Sequence, residues 1–586
     1  MITLTPEQKS ALNSDARITV VKAGPGSGKT KLFVEAVQKS LQAWQSRTAG
    51  LAALSFTNVA QNEITERLGG HLGAPHFVGT LDSFLLRFVV RPFGHVVGAS
   101  TNGIRLIASP LDMEMRGHEV QIGPTAKDKI GLFRVRFNQG TGASLTFRYT
   151  NHMGRNGNVP AAYSAAILAK KKMLWKNTGL ITHSDTHYLA AAILEMHPDI
   201  AALVAQRFPV LLVDELQDTA WFLGRALVEL LKVKNVRSMV VGDPDQGIYE
   251  FGGANPNLFS VIEGLPGAKV FPLTVSQRCS RRVCRVASAL SDSGATVNAR
   301  SDAPDGRTVM LVHTLAKPAP DATLIKDIMA LAQEPACVTV LARRNQTILR
   351  LRGAEDSATF PGRSRLARAC DNACVLLRTG QAAKASSIIA KELRTLAFDD
   401  EVFSRTKLRD RGIDLIDWKQ SVYKVLSSAT ESPAPTWNEW ISELRSTIES
   451  ELARLTGKTL SYGALLKKDS ANALRNTGTL TVATGTWPPS YSFMNVHQAK
   501  GREFANVLYF HPKPHAQNDP CPSKQWFASG NEERRIAYVA ATRAKMLFIL
   551  CVHKETYDAL KAKQSNFVDL FEVFLLGQLG SASVPA

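Results

Sequence analysis

The sequence predicts an α/β fold in which parallel strands, flanked by helices, end in polar loops. Three observations carry this prediction. The β-forming run Ile18-Thr19-Val20-Val21 leads through Ala23-Gly24-Pro25-Gly26-Ser27-Gly28-Lys29-Thr30 into an amphipathic helical pattern from Lys31 to Leu41. The apolar run Phe208 to Val213 stops on two acids, Asp214 and Glu215. A third run, Ser238 to Val241, ends in Gly242-Asp243-Pro244-Asp245-Gln246. Strand, glycine-rich turn and helix in that order are the context a phosphate-binding loop needs.

In the first element, Gly24, Gly26 and Gly28 permit backbone shapes and close approaches that a Cβ would block. The N–H groups of the loop, Ser27 included, and the helix N-terminus then face phosphates. Lys29 reaches the β/γ-phosphates of a nucleotide, and Thr30 holds Mg²⁺. The bland alternative is a tight strand–helix connection without a ligand. In the second element, Asp214 is placed to hold Mg²⁺ and Glu215 to orient and deprotonate an attacking water. In the third, Gln246 sits where an amide senses the γ-phosphate. Tyr249 and Phe251 lie within reach of a base to stack on, with core packing as the competing reading, preferred for Tyr249.

Bulk properties narrow the class. The chain of 586 residues is long enough for several domains. It carries 70 Lys and Arg against 51 Asp and Glu, a net charge of +19 that favours a polyanionic partner, most simply nucleic acid. Seven Cys without a CxxC pair argue against zinc sites and disulfides; Cys370 and Cys374 read as helix-packing thiols of a reducing compartment. Neither a signal peptide nor a run of 18 apolar residues is visible, so a cytoplasmic protein is expected.

Taken in order, Thr5 reads as an N-cap with Pro6 at the first helical position and Gln8 at the third. Gln8 is then either a capping-box side chain or an amide that pairs with a purine edge. Leu51 to Phe56 is a buried strand whose end, Thr57-Asn58, caps a helix; His76 to Gly79 leads likewise to Thr80. Both ends offer hydroxyls where phosphates bind. Residues 91–177 form an insertion with its own small fold, including the basic run Lys170-Lys171-Lys172, either a solvated face or a phosphate contact. A second half begins near residue 271 and runs to 351, is interrupted by a mostly helical segment over 352–478, and resumes over 479–560. A tail over 561–586 follows, expected to hold one helix and a flexible end.

The strings TPEQ, AGPGSGKT, SFTNVAQNEITERL, GTLDSF, VDELQDT, VGDPDQGIYEFGGA, LTVSQRCSRR, NVHQAKGREF and EERRIAYVAATRAK occur in this order over residues 4 to 545. This constellation resembles the UvrD/Rep/PcrA group of superfamily 1 DNA helicases. The resemblance implies two RecA-like motor domains (1–90 with 178–270, and 271–351 with 479–560), each interrupted by an insertion. It implies ATP and Mg²⁺ in the cleft between them and single-stranded DNA across both. By the same token Gln8 selects adenine, Gln246 couples the γ-phosphate to the DNA site, and Arg278 and Arg543 are arginine fingers. Phe56, Thr57, Asn58, Thr80, Tyr249, Phe251, His497, Lys500 and Glu503 are expected on the DNA strand. The implied activity is ATP-dependent translocation on single strands, 3′ to 5′, and unwinding at single-strand/duplex junctions. The alternative implied is a regulatory ATPase partnering an OLD-family nuclease in antiphage defence, as compact relatives do. This sequence departs from the family at Gln277, where Tyr stacks on adenine, at Gly252, where Arg is usual, and at Asp82, where a His is usual.

Overall fold

In the computed structural model, the described residues are 4–56, 65–66, 70, 72–107, 119–125, 128–150, 156–249, 253–255, 257–332, 337–352, 364–378, 382–398, 408, 412–457, 487–488, 490–514, 526–527 and 532–579. Two six-stranded, wholly parallel sheets organise them. The first runs Ala268–Leu273, Ile18–Ala23, Arg237–Gly242, Val210–Val213, Leu51–Ser55, Phe77–Thr80. The second runs Ser492–Asn495, Val338–Ala342, Phe504–Phe510, Ala544–His553, Arg307–His313, Glu572–Leu575. The central strands are buried along almost their whole length. Helices cover both faces, so these strands read as continuous apolar runs instead of alternating ones. Each sheet accordingly separates two apolar cores.

Two boundaries move relative to the sequence reading. The strand Ala268–Leu273 pairs in register with Ile18–Ala23, so the first domain extends past residue 270. The tail contributes Glu572–Leu575 as an edge strand alongside Arg307–His313, anchored by Arg282 and Arg307 on Glu572. The two-residue alternation of Val573 and Leu575 with Glu572 and Phe574 is that of an edge strand, and it was too short to stand out.

The first insertion contains an antiparallel sheet of Val135–Phe137, Phe147–Thr150 and Asn156–Asn158, followed by the helix Ser164–Thr178. Phe137 stacks on Tyr188 of the helix His183–Met196 at 4.2 Å, which ties this antiparallel sheet to the apolar core beside the first parallel sheet. Lys171 is 1% exposed and makes a 2.7 Å ion pair with the equally buried Asp185. Lys170 donates to the Glu119 carbonyl. The phosphate-contact reading of the basic run therefore fails at Lys171, which is spent inside the protein. The second insertion comprises the helices Arg365–Arg378, Ala382–Phe398, Leu415–Glu431 and Trp437–Thr456 around a separate core. Trp418, Trp437 and Trp440 fill it, and Cys370 and Cys374 are buried there as packing thiols. Among the described residues, no single helix is long and apolar enough to cross a membrane.

Candidate nucleotide cleft and nucleic-acid interface

The glycine-rich loop leaves the buried strand Ile18–Ala23 and turns on Gly26 (φ 68°) and Gly28 (φ 81°), a left-handed region that glycine enters without strain. Gly28 is the N-cap of the helix Lys29–Gln42 and offers no side chain to its first turn. The first-turn N–H groups therefore remain for an anion. Ser27 closes the loop by donating from Oγ to the Gly24 carbonyl at 2.8 Å. Gln8 bears out the capping-box half of its sequence reading. It completes the capping box with Thr5, and its Nε2 donates to the Ser27 carbonyl at 2.7 Å, so it lies on the loop.

The acidic strand Val210–Val213 delivers Asp214, buried, whose Oδ1 accepts the Glu215 N–H at 2.9 Å. Glu215 has φ 54°, the one non-glycine residue with positive φ among the described residues. Backbone strain of this kind, about 1–3 kcal/mol, persists where surrounding structure over-determines it, as at reactive sites. Burial alone would raise the Glu215 pKa, but Lys29, Lys500, the Gln217 amide and Arg543 overcome it and hold the carboxyl below its ordinary value. It is a carboxylate at neutral pH. A hydroxyl at Thr30 and a carboxylate at Asp214 are hard oxygen donors of the kind Mg²⁺ takes, with phosphates and water completing its shell. No group of three or more His, Cys, Asp or Glu among the described residues forms a self-sufficient metal site.

The loop from Asp243 to Tyr249 joins this cleft to the second domain. On the nucleotide side, Lys29 Nζ lies 3.7 Å from Asp243 Oδ2, and the same oxygen accepts from Gln246 Nε2 at 2.7 Å. On the other side, Lys500 donates to both Asp218 oxygens at 2.6 Å and to the Gln246 carbonyl at 2.8 Å. Arg535 donates to the Gly247 carbonyl at 2.8 Å, and Asp245 accepts from Ser291 and Ser293. Burial, against the pull of Lys500, raises Asp218 to about 6; burial, against Lys29, raises Asp243 to about 6. Asp218, Asp243 and Arg535 were not singled out in the sequence. Their signal lay in the strings VDELQDT and VGDPDQ, where only neighbours are assigned, and in EERRIAYVAATRAK, where only Arg543 is.

Arg278 packs against the phosphate loop: a Cβ built on Gly26 would lie 2.5 Å from Arg278 Cβ, and Gln277 N–H donates to the Gly26 carbonyl at 2.8 Å. Gln277 thus contributes a backbone clasp at the position of the missing aromatic. Arg278 Nε donates to Glu503 at 2.6 Å, and Lys545 pairs with the other Glu503 oxygen at 2.8 Å. Glu503, expected on the nucleic-acid strand, is paired here with Arg278 beside the glycine-rich loop, with its side chain 44% exposed. Arg543 is 1% exposed; its guanidinium donates to the Val539 and Arg502 carbonyls and to Thr542 Oγ1. Burial first, then Arg278, pulls its pKa down to about 10, so it stays charged. It is stored inside the second domain rather than extended across the cleft.

A second face opens at the ends of the same strands. Phe56 stacks on Tyr249 at 6.3 Å, Tyr249 meets the His497 ring at 5.8 Å, and Lys500 Nζ lies 4.8 Å from the Tyr249 ring. Half-buried Tyr249 packs against the apolar core of the second domain, as its core reading expects, and also stands in an aromatic row with Phe56 and His497. Lys500 reaches that row but spends its donors on the interdomain bridge. Burial, Arg343 and Lys500 lower His497 to about 4, so it is neutral. Beside the row lies a cavity of about 580 Å³ lined by Phe56, Thr80, Asp82, His183, His187 and Asp214, among others. Thr80 caps the short helix that follows it. Asp82 is not a free acid: His183 Nδ1 and His187 Nε2 donate to its two oxygens at 2.8 and 2.6 Å. Thr57, Asn58, Phe251 and Gly252 lie outside the described residues.

Comparison with known proteins matches this arrangement. The UvrD/REP helicase N-terminal domain matches residues 4–264 and the UvrD-like helicase C-terminal domain matches residues 465–555, between them more than half of the chain. The chain is 26% identical to the ATP-dependent DNA helicase Rep of Escherichia coli K12 over 303 residues, 49% of this chain and 43% of Rep. It is 25% identical to the ATP-dependent DNA helicase PcrA of Bacillus subtilis over 293 residues, 48% of this chain and 39% of PcrA. These alignments span less than half the length of either helicase. It is also 22% identical to the Gabija protein GajB of Bacillus cereus over 549 residues, 92% of this chain and 94% of GajB. With both UvrD-type domains present and the loops of each converging on one cleft, the chain belongs to the UvrD/Rep family of superfamily 1 helicases.

Proposed function

We propose that the chain is an ATP-driven motor on single-stranded DNA. The observation that carries this reading is the loop from Asp243 to Tyr249, whose first residues touch Lys29 and whose last residue stacks on Phe56. One short segment is thus shared by the nucleotide cleft and the aromatic row, and the second domain holds it through Lys500 and Arg535. Lys29 and the loop N–H groups bind the phosphates of ATP, and Gln8 lies where it can meet the base. Thr30 and Asp214 would hold Mg²⁺, which would supply charge neutralisation to the phosphates. Glu215 takes the proton of the attacking water; Gln217 and the surrounding cations keep its carboxylate ionised for that task. Arg278 stands at the loop and supplies positive charge to the transferring phosphoryl group. Arg543 joins it when the domains close, which makes hydrolysis depend on closure. Closure and opening alternate the grip of Phe56 and Tyr249 with that of His497 on the bases, and the chain steps along the strand, 3′ to 5′ by family analogy.

The test is displacement of streptavidin from single strands biotinylated at one end or the other, with ATP. Displacement from the 5′ end alone supports 3′-to-5′ movement. No displacement from either end argues against a motor.

A second reading is favoured by the match along almost the full length of GajB. In it the chain is a DNA- or nucleotide-sensing ATPase that governs a nuclease partner in antiphage defence. Compact relatives of this type motivate it, and affinity capture of the chain from its native host, followed by a nuclease assay on the captured complex, tests it.

A further inference from the structure

The helix Arg281–Leu290 of the second domain is held against the first domain at both of its ends. Just before its N-terminus, Gln277 and Arg278 seat on Gly26 of the phosphate loop. Just past its C-terminus, the segment Ser291-Asp292-Ser293 closes on Asp245, which is 1% exposed. Asp245 Oδ1 accepts the N–H groups of Asp292 and Ser293, both at 2.8 Å. Its Oδ2 accepts the hydroxyls of Ser291 and Ser293 at 2.6 and 2.8 Å. Four donors meet the lone pairs of one carboxylate, which is what a buried charge requires. All four belong to the second domain, although Asp245 lies on a loop of the first. The segment that grips Asp245 is itself fixed. Arg535 pairs with Asp292 at 3.0 Å, and Arg534 donates to the Ala289 and Leu290 carbonyls at the end of the helix.

These contacts close a ring. Lys29 lies 3.7 Å from Asp243, and Asp243 Oδ1 accepts the Asp245 N–H at 3.1 Å. Asp245 holds the far end of the helix. Ten residues of helix, about 15 Å, lead back to Arg278 and Gly26. Val283, Val286, Ala287 and Leu290 bury the helix in the core of the second domain, so it moves with that domain as one body. A body touched at one point can rock about it; a second contact about 15 Å away fixes its tilt.

We propose that Asp245 is a positioning residue: by clasping Ser291-Asp292-Ser293 it sets the tilt of the helix Arg281–Leu290 and thereby the seat of Arg278 on the phosphate loop. The inference rests on the role proposed above for Arg278 at the transferring phosphoryl group. It adds the distant contact that puts Arg278 there.

The experiment is a double-mutant cycle on ATP hydrolysis by the full chain with saturating oligothymidylate. The proteins compared are wild type, Asp245→Ala, Arg278→Ala and the double variant. Arg278→Ala is expected to lower kcat by roughly 10³-fold. Asp245→Ala is expected to lower kcat by about 10²-fold, the cost of misplacing a group by about 1 Å. Its KM for ATP is expected to stay within about threefold of wild type, because Lys29 and the loop N–H groups are untouched. The double variant is expected to match Arg278→Ala, because the clasp then has nothing left to place. Independent effects would multiply to about 10⁵-fold, and that result overturns the positioning role. Asp245→Asn keeps an acceptor for the two N–H groups and is expected to restore most of the turnover lost in Asp245→Ala. Ser293→Ala runs the same cycle with a gentler change, so the test stands even where Asp245→Ala does not fold. It is expected to cost about tenfold alone, as the loss of one hydrogen bond to a charged group, and nothing further beside Arg278→Ala. Wild-type kcat in both Asp245→Ala and Ser293→Ala, with Arg278→Ala slow, overturns the clasp and leaves the motor reading intact. Wild-type kcat in Arg278→Ala overturns the role given to Arg278 and the clasp with it.

Discussion

Gly26→Ala tests how closely the second domain must seat on the phosphate loop. Two costs follow from the structure. At φ 68° a side chain enters the left-handed region, at about 1–2 kcal/mol. The new Cβ would also sit 2.5 Å from Arg278 Cβ and 2.9 Å from Ser276 Oγ. Carbon atoms pack at about 3.5–4.0 Å, so the segment carrying Arg278 must retreat by about 1 Å. A displacement of that size at a reacting centre costs on the order of 10²-fold in rate. The expected result is a fall of about 10²-fold in ATP turnover. Gly98→Ala is the control. Its φ is 84°, and a Cβ there meets nothing within 4 Å, so it carries the backbone strain without the contact. It is expected to lower the unfolding temperature and leave turnover near wild type. Steady-state hydrolysis of both variants under saturating ATP and oligonucleotide is the assay. Turnover of Gly26→Ala within about threefold of wild type would refute the argument that Arg278 must seat against the loop.

Glu215→Gln is expected to bind ATP and lose turnover by roughly 10²- to 10⁴-fold, as loss of a general base does; a fluorescent nucleotide titration beside a hydrolysis assay checks it. Arg543→Ala is expected to slow hydrolysis by roughly 10³-fold; an effect confined to DNA affinity would move Arg543 out of the nucleotide site. Turnover is expected to fall as pH drops through about 6, because protonation removes the charge that Asp218 presents to Lys500 and Asp243 to Lys29. Glu215, held below its ordinary value, stays ionised there. Asp218→Asn should lower turnover at pH 7 and weaken this inflection. Lys171→Ala leaves Asp185 buried without its cation and is expected to cost about 3–5 kcal/mol of stability, read by urea denaturation.

What was legible in the sequence was local. A phosphate loop is eight consecutive residues whose glycines and lysine act through their own backbone and their own helix, so the string and its flanking pattern suffice. The acidic strand is legible for the same reason, because Asp214 and Glu215 follow directly on a buried run. Residues whose meaning depends on a distant partner were less legible. Glu503 is expected on the strand path, and its ion pair with Arg278, 225 positions away, cannot be read from the string that carries it. Lys171 looked like one of three surface lysines. Only the packing of two helices shows that it is buried against Asp185. His183 and His187 carried no signal because they gain significance from Asp82, about a hundred residues earlier. Gln8 reads as a capping side chain or a purine-pairing amide; the structure shows the cap through its oxygen, and its nitrogen meets the Ser27 carbonyl, a contact no local pattern announces.

The central claim is that the cleft and the strand-binding row work as one device. ATP hydrolysis measured with and without single-stranded DNA, with Lys29→Ala as the blank, tests it most directly. The account predicts slow hydrolysis by the free protein, strong stimulation by single strands, and neither in the blank. Hydrolysis by the wild type at the same rate with and without DNA would contradict it.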